Sequence, residues 1–103
     1  MISISEKLKI KLVNYSEETQ GIEQIRRRVF HEEQNIDEEL EFDGLDETSE
    51  HLLAYLNQQL IGTLRIREVD PKTVKIERLA VLSQSRNQGI GRKLMEYAIA
   101  PCR

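Results

Sequence analysis

The chain has 103 residues, which is enough for one small domain and too few for two. Fifteen basic residues against eighteen acidic ones leave a net charge of −3, and this balance argues against nucleic-acid binding, because neutralising phosphates requires a basic surface. The single cysteine, Cys102, excludes a disulfide framework, and the lack of long apolar runs predicts a cytoplasmic protein without membrane contact.

The first third of the chain predicts one strand and one helix. Residues 8–13 alternate apolar and basic side chains, as a half-buried strand does. After the N-cap candidates Ser16 and Thr19, a helix is predicted over about residues 17–33. Its apolar residues recur at helical spacing: Ile22, Ile25, Val29 and Phe30.

Charge is distributed unevenly along the chain. Acidic residues are concentrated between Glu32 and Glu50, and residues 35–49, which include Gly44, are predicted to form a loop. The later half is locally basic. A cationic substrate near the first region and an anionic cofactor near the second would suit this polarity.

The second half predicts a run of hairpins followed by a helix. Strands are predicted over residues 51–56, 60–68 and 73–82, with turns at residues 57–59 and 70–72. The last helix is predicted over residues 89–100, where Pro101 ends it. The order β-α-loop-β-β-β-α predicts an α+β fold, equally describable as an α/β sandwich, with helices on a mixed and mostly antiparallel sheet.

A glycine-containing turn joins the last strand to the last helix within IERLAVLSQSRNQGIGRKLM, residues 76–95. Gly89 and Gly91 allow backbone N–H groups to approach an anion, and the helix dipole adds about half a positive charge there. A dinucleotide fingerprint would need a third glycine in a βαβ unit, and a P-loop would need a Lys-Ser/Thr pair. A nucleotide-phosphate site is therefore the poorer interpretation of this turn.

The turn resembles the acyl-CoA-binding motif of the GCN5-related N-acetyltransferases, the GNAT superfamily. Arg86, Gly89 and Gly91 fill its Arg/Gln-x-x-Gly-x-Gly/Ala pattern as RNQGIG. Upstream, RRRVFHEEQNIDEELEFDGLDETSEHLLAY resembles the ElaA/YjcF-like branch in its Arg-x-x-Val-Phe, Glu-Gln and Asp-x-x-Asp signatures, and LIGTLRI resembles the third strand of that branch. The similarity extends along nearly the whole chain.

The resemblance implies one partial GNAT domain over residues 1–103, an acyltransferase that moves an acetyl group from acetyl-CoA to a primary amine on a small molecule or peptide. It implies a bulge in the strand before the motif, with backbone amides of residues 79–81 on the pantetheine arm, and the turn on the pyrophosphate. The cofactor-binding residues implied are Leu79, Ala80, Val81, Arg86, Asn87, Gln88, Gly89, Ile90, Gly91 and Arg92.

Two groups are candidates for the chemistry. By the same resemblance, the backbone amide of Val81 would stabilise the thioester oxygen, and Glu77 would serve as the base, directly or through water. The two-residue period of a strand predicts that the Glu77 side chain lies on the same face as Leu79 and Val81. A solvated strand residue is an equally good interpretation of Glu77. His31 and His51 stand alone and predict no metal site.

Two further interpretations stay open. The acidic run of residues 32–50 is either a solvated face or, by the resemblance, the border of the acceptor groove. Arg86 and Arg92 are either phosphate contacts or solvated residues at a helix start.

Members of the superfamily continue beyond the motif helix with a fifth strand and further elements, whereas this sequence ends at Arg103. We therefore expect a C-terminally truncated domain of marginal stability. Its strand over residues 73–82 would be an exposed edge that could pair with a second copy in a homo-oligomer. The alternative function is a non-catalytic GNAT remnant that at most binds CoA or acts as an interaction module.

Overall fold

A computed structural model describes residues 8–37 and 42–99, and its elements follow the predicted order. They are strand β1 (Leu8–Asn14), helix α1 (Thr19–Arg26) with a π-helical continuation (Arg27–Glu33), strands β2 (Glu50–Leu56), β3 (Gln59–Asp70) and β4 (Thr73–Val81), and helix α2 (Ile90–Ile99). The predicted helix end at Ala100 and Pro101, and Cys102, lie outside the described residues. None of the described helices is long and apolar enough to cross a membrane.

The strands form one sheet in the order β1-β2-β3-β4, and all three pairings are antiparallel. The β2–β3 hairpin turns through Asn57 and Gln58, whose φ values of 53° and 71° are typical of a two-residue turn that follows the strand twist. At the β3–β4 turn, the Asp70 side chain accepts a hydrogen bond from the backbone N–H of Lys72 at 2.9 Å. The predicted α+β class is confirmed.

The two helices pack on opposite faces of the sheet. On one face, Leu53 of β2 packs with Val13 and with Ile22 of α1. The strand partner of Leu53 is Thr63. Gly62, the residue before Thr63, faces the opposite side of the sheet, because side chains alternate along a strand. A Cβ atom at Gly62 would lie 3.3 Å from Leu94 of α2. The sheet is therefore the middle layer of the core.

The first helix differs from the prediction of one regular helix over residues 17–33. A short 3₁₀ turn (Tyr15–Glu17) precedes α1, and the last part of the helix, Arg27–Glu33, is π-helical. In this part the backbone N–H of Gln34 donates to the carbonyl of Val29 at 3.2 Å, five residues back. The apolar spacing of this helix fits an α-helix as well as a widened one, so the sequence pattern could not distinguish them.

Strand β4 contains a bulge. Thr63 pairs with Ala80 and Arg65 pairs with Glu77, so β4 has one residue more than β3 between these two pairs. Arg78 lies in the bulge with a φ of 57°, a conformation that non-glycine residues seldom adopt. The bulge that the family resemblance implies is therefore present.

The bulge overturns one prediction about side-chain direction. The two-residue period placed Glu77 on the same face as Leu79 and Val81. This is wrong, because the extra residue breaks the alternation: Glu77 lies on the face that its partner Arg65 occupies. Leu79 and Val81 face α2, where a Cβ atom at Gly91 would lie 3.7 Å and 3.9 Å from their side chains.

Candidate functional site

A cleft of about 420 Å³ opens where the end of β4 meets the start of α2. Most of the residues predicted to bind the cofactor line it, namely Leu79, Ala80, Val81, Arg86, Asn87, Gly89, Ile90 and Gly91. Gln88 and Arg92 are not among the lining residues. The cleft is also lined by Val29, Gln34 and Ser85, which the sequence did not assign to the site.

The turn at the cleft adopts a conformation that requires glycine at one position. Asn87 and Gly89 have φ values of 64° and 77°. A Cβ atom at Gly89 would meet nothing within 4 Å, so the backbone angle, and not a lack of space, favours glycine there. The Gly89 carbonyl accepts the first helical hydrogen bond from Lys93 at 3.0 Å. The first N–H groups of α2 therefore have no acceptor within the helix, and helix starts of this kind bind anions.

The two predicted phosphate-binding arginines have different surroundings. Arg86 donates from Nε to the carbonyl of Val81 at 2.9 Å and from Nη2 to Oε1 of Glu33 at 2.5 Å, which ties the turn to the end of β4 and to the end of the π-helical segment. The side chain of Arg92 is 83% exposed and pairs with Glu96 at 3.5 Å. Arg92 thus has the surroundings expected of a solvated residue at a helix start.

Glu77 is held by ionic hydrogen bonds from two arginines. Its Oε1 accepts from Nε of Arg67 at 2.7 Å and from Nη2 of Arg65 at 3.0 Å. These hydrogen bonds, that from Arg67 first, outweigh the opposing effect of burial and lower the pKa of Glu77 to about 2. A carboxylate with such a pKa is ionised at neutral pH and accepts a proton weakly.

Arg65 is the centre of a buried ionic network. Its side chain is fully buried, and besides Glu77 it contacts Asp43 through both terminal nitrogens, at 2.9 Å each, and Asp46 at 3.1 Å. Burial acts against the charged form, but the hydrogen bonds to the three carboxylates outweigh it and raise the pKa of Arg65. The network therefore holds the end of the acidic loop against β3 and β4.

The same network reaches α1 and the bulge. Asp46 accepts a hydrogen bond from the buried Arg26 of α1 at 2.8 Å, and Asp43 accepts one from Arg78 in the bulge at 3.1 Å. Arg26 also lies over the ring of Phe42, with its guanidinium carbon 4.9 Å from the ring centroid. For Asp46 the solvated-face interpretation is wrong, because Asp46 is buried and pairs with arginines of α1 and β3, whereas Asp43 pairs with arginines of β3 and β4 from an exposed position.

Neither histidine is among the residues that line the cleft. His51 is buried, with Nε2 2.9 Å from the carbonyl oxygen of Asp46, and burial lowers its pKa. His31 has Nδ1 3.1 Å from the carbonyl oxygen of Ile36. Within residues 8–37 and 42–99, no group of three or more His, Cys, Asp or Glu side chains could hold a metal ion.

Apart from Glu77, the residues of the network carried no predicted role, although three of them belong to the family signatures. Arg26 begins the Arg-x-x-Val-Phe signature, and Asp43 and Asp46 form the Asp-x-x-Asp signature. The first two signatures also supply two residues that line the cleft, Val29 and Gln34. The sequence signal for this network was therefore the presence of charged residues of both signs in signatures that are distant from one another in the chain.

Comparison with known proteins identifies relatives for the chain. The sequence model of the acetyltransferase (GNAT) family matches residues 17–103. YjcF of Bacillus subtilis (strain 168), described as an uncharacterized N-acetyltransferase, is 38% identical over 72 residues, which are 70% of this chain and 51% of YjcF. The chain spans about half the length of the first curated relatives that it matches, 47% and 51%.

Solved structures share the fold. The crystal structure of Escherichia coli ElaA matches with a TM-score of 0.77 at 27% identity, over 88% of this chain and 66% of ElaA. A GNAT family acetyltransferase from Elizabethkingia anophelis with acetyl-CoA bound matches with a TM-score of 0.64 at 23% identity, over 91% of this chain and 56% of that protein. At that identity the second likeness concerns the fold alone.

Proposed function

This chain belongs to the acetyltransferase (GNAT) family, in its ElaA/YjcF-like branch, and on that premise we propose that it transfers an acetyl group from acetyl-CoA to a primary amine. The acceptor is a small molecule or a peptide. The observation that carries the proposal is the cleft between the bulged strand β4 and the start of α2, where the glycine turn and Arg86 meet. A relative of the same fold was solved with acetyl-CoA bound, which supports the choice of donor.

The lining residues suit the anionic part of acetyl-CoA. The diphosphate would lie at the turn of residues 86–92, where the N–H groups that begin α2 and the guanidinium of Arg86 supply hydrogen-bond donors and positive charge. The pantetheine arm would follow the backbone of Leu79, Ala80 and Val81 beyond the bulge. A bulged strand suits this role, because the extra residue interrupts the regular pairing with β3.

Acetyl-CoA supplies a thioester: the amine nitrogen bonds to the carbonyl carbon, the carbon–sulfur bond breaks, and the sulfur leaves as the CoA thiol while the amine loses a proton. The backbone amide of Val81 would stabilise the negative charge on the carbonyl oxygen. An alkyl ammonium must lose a proton before it can attack, so a base is required.

Glu77 remains our proposed base. We propose that it acts through water, because its Oε1 already accepts two hydrogen bonds. Its place in β4 just before the bulge supports the proposal. Its pKa of about 2 counts against strong basicity, and its side chain lies on the face of the sheet opposite to Leu79 and Val81. The role of Glu77 as a base can be tested by the rate of acetyl transfer and by its pH profile.

The test is release of the CoA thiol from acetyl-CoA in the presence of a panel of polyamines, amino acids and peptides. The proposal expects acceptor-dependent release above a control without acceptor, and a product heavier than the amine by one acetyl group. Release that is equal with and without every acceptor would contradict amine acetylation. Binding of CoA without any turnover would support the non-catalytic alternative.

A further inference from the structure

Arg86 at the cleft forms an ion pair with Glu33. Arg86 lines the cleft, and its Nη2 donates to Oε1 of Glu33 at 2.5 Å. Glu33 ends the π-helical segment, and the cleft is also lined by Val29 of that segment and by Gln34, which follows Glu33. The segment thus brings a carboxylate to the guanidinium that the candidate site offers to an anion.

A guanidinium group can bind a carboxylate or a phosphate through the same N–H donors. Arginine presents a planar fork of N–H donors that fits either group, so Glu33 occupies a donor that a diphosphate would use. A diphosphate next to an ionised Glu33 would also be repelled by it. Both side chains are partly exposed, 40% for Arg86 and 32% for Glu33, so the pair can exchange with a ligand.

The second hydrogen bond of Arg86 keeps its guanidinium at the cleft. Nε donates to the carbonyl of Val81 at the end of β4, at 2.9 Å. This bond uses a different nitrogen from the one that contacts Glu33. Nη2 can therefore change partner while the side chain stays anchored to the strand.

We propose that Glu33 is a built-in competitor for the anionic part of the ligand and sets the selectivity of the cleft. A ligand that carries a diphosphate must displace Glu33 from Arg86 to bind. A neutral pantetheine thioester has no group that competes with Glu33 and gains nothing from its displacement. This inference rests on the proposed function, in which the cleft binds acetyl-CoA.

The experiment measures binding of CoA to the full chain by titration calorimetry, with Glu33→Gln as the variant and Glu32→Gln as its matched control. Glu32 is the exposed neighbouring residue, so both substitutions change the net charge equally. Because exposed ion pairs are weak, we expect Glu33→Gln to tighten CoA binding about two- to fivefold. Glu32→Gln should leave the affinity nearly unchanged, and S-acetylpantetheine should bind all three proteins equally.

A double-mutant cycle separates competition through Arg86 from simple charge repulsion. If Glu33 must release Arg86, then Arg86→Gln should weaken CoA binding more in the Glu33→Gln background than in the wild type, because only the wild type breaks an ion pair on binding. Equal losses in the two backgrounds would overturn the inference, and so would equal effects of Glu33→Gln and Glu32→Gln. No CoA binding by any of the proteins would overturn the proposed function and this inference with it.

Discussion

The Nη2 atom of Arg65 lies 3.0 Å from Oε1 of Glu77, and the two residues are direct partners in neighbouring strands. The guanidinium has no exposed surface, whereas the Glu77 side chain is 17% exposed. Arg65 thus connects the buried ionic network to the part of β4 that precedes the bulge and the cleft.

Removing Arg65 should destabilise the fold strongly. Arg65→Met keeps much of the apolar volume but leaves Asp43, Asp46 and Glu77 without their shared partner. Breaking a buried ion pair from one side costs about 3–5 kcal/mol, so we expect the free energy of unfolding to fall by that amount in urea denaturation. The matched control is Arg67→Met, because Arg67 pairs with Glu77 from a more exposed position. Equal losses for the two variants would show that burial of Arg65 does not matter.

Acid should weaken the fold through the carboxylates of the network. The pKa of Glu77 falls from its usual 4.5 to about 2 in the folded protein, and hydrogen bonds from Arg65 lower that of Asp43 as well. A lowered folded-state pKa stabilises the fold above the unfolded-state pKa, and this contribution is lost as the pH falls towards the folded-state value. Urea midpoints should therefore be steady near neutral pH and decline between pH 4.5 and about 2. Glu77→Gln should make the decline shallower, and an unchanged slope would contradict the assignment.

Replacing Gly89 with valine should abolish tight CoA binding. The φ of 77° at Gly89 is strongly disfavoured for a β-branched residue, so the turn at the start of α2 must change. We expect the CoA affinity measured by calorimetry to fall at least about tenfold.

Gly44→Val is the matched control for this experiment. Gly44 has a φ of 83°, and it resembles Gly89 in that a Cβ atom there would meet nothing within 4 Å, but it does not line the cleft. Both variants should lose similar stability, and only Gly89→Val should lose affinity. A similar loss of affinity in both would indicate a general effect of backbone strain.

If Glu77 is the base, then Glu77→Gln should lower kcat about 10²- to 10⁴-fold, with a smaller change in KM for acetyl-CoA. The amide can still accept a hydrogen bond from Arg67, which limits structural damage. Thiol release measured against pH in wild type and variant checks the role. A kcat within a few fold of wild type and an unaltered pH profile would leave Glu77 only its structural part in the network.

We propose that β4, an edge of the described sheet, allows two copies of the chain to pair. Val74 on this strand is 50% exposed. Lysine on an edge strand opposes such pairing, so Val74→Lys should weaken self-association in sedimentation equilibrium by about tenfold or more. Val69→Lys on β3 is the control, because Val69 is 49% exposed but lies on the neighbouring strand and not on β4. A wild-type chain that stays monomeric at all concentrations would refute the proposal.

The order and type of the elements could be read from the sequence, because the signals for them are local. Alternation in β1 and the apolar spacing of Ile22 and Ile25 depend on side chains within a few residues of one another. The turn at Gly89 could also be predicted from the sequence, since glycine marks a positive φ that few other residues adopt.

The bulge and the direction of Glu77 depended on tertiary structure. Nothing within residues 73–82 indicates which residue of β4 is left without a partner, because the register is set by the pairing with β3. The family resemblance implied a bulge but did not correct the two-residue period that was applied across it.

By itself the sequence determined the layout of the α+β elements and the glycine turn, because periodicity and turn chemistry are properties of neighbouring residues, and its motifs resembled those of the family. Only the tertiary structure decided which charges meet. Arg65 and Asp46 are 19 residues apart in the chain and Arg86 and Glu33 are 53 apart, and such pairs form only after the strands and helices have packed. A charged side chain has many possible partners in the sequence, and the geometry of the folded chain selects among them.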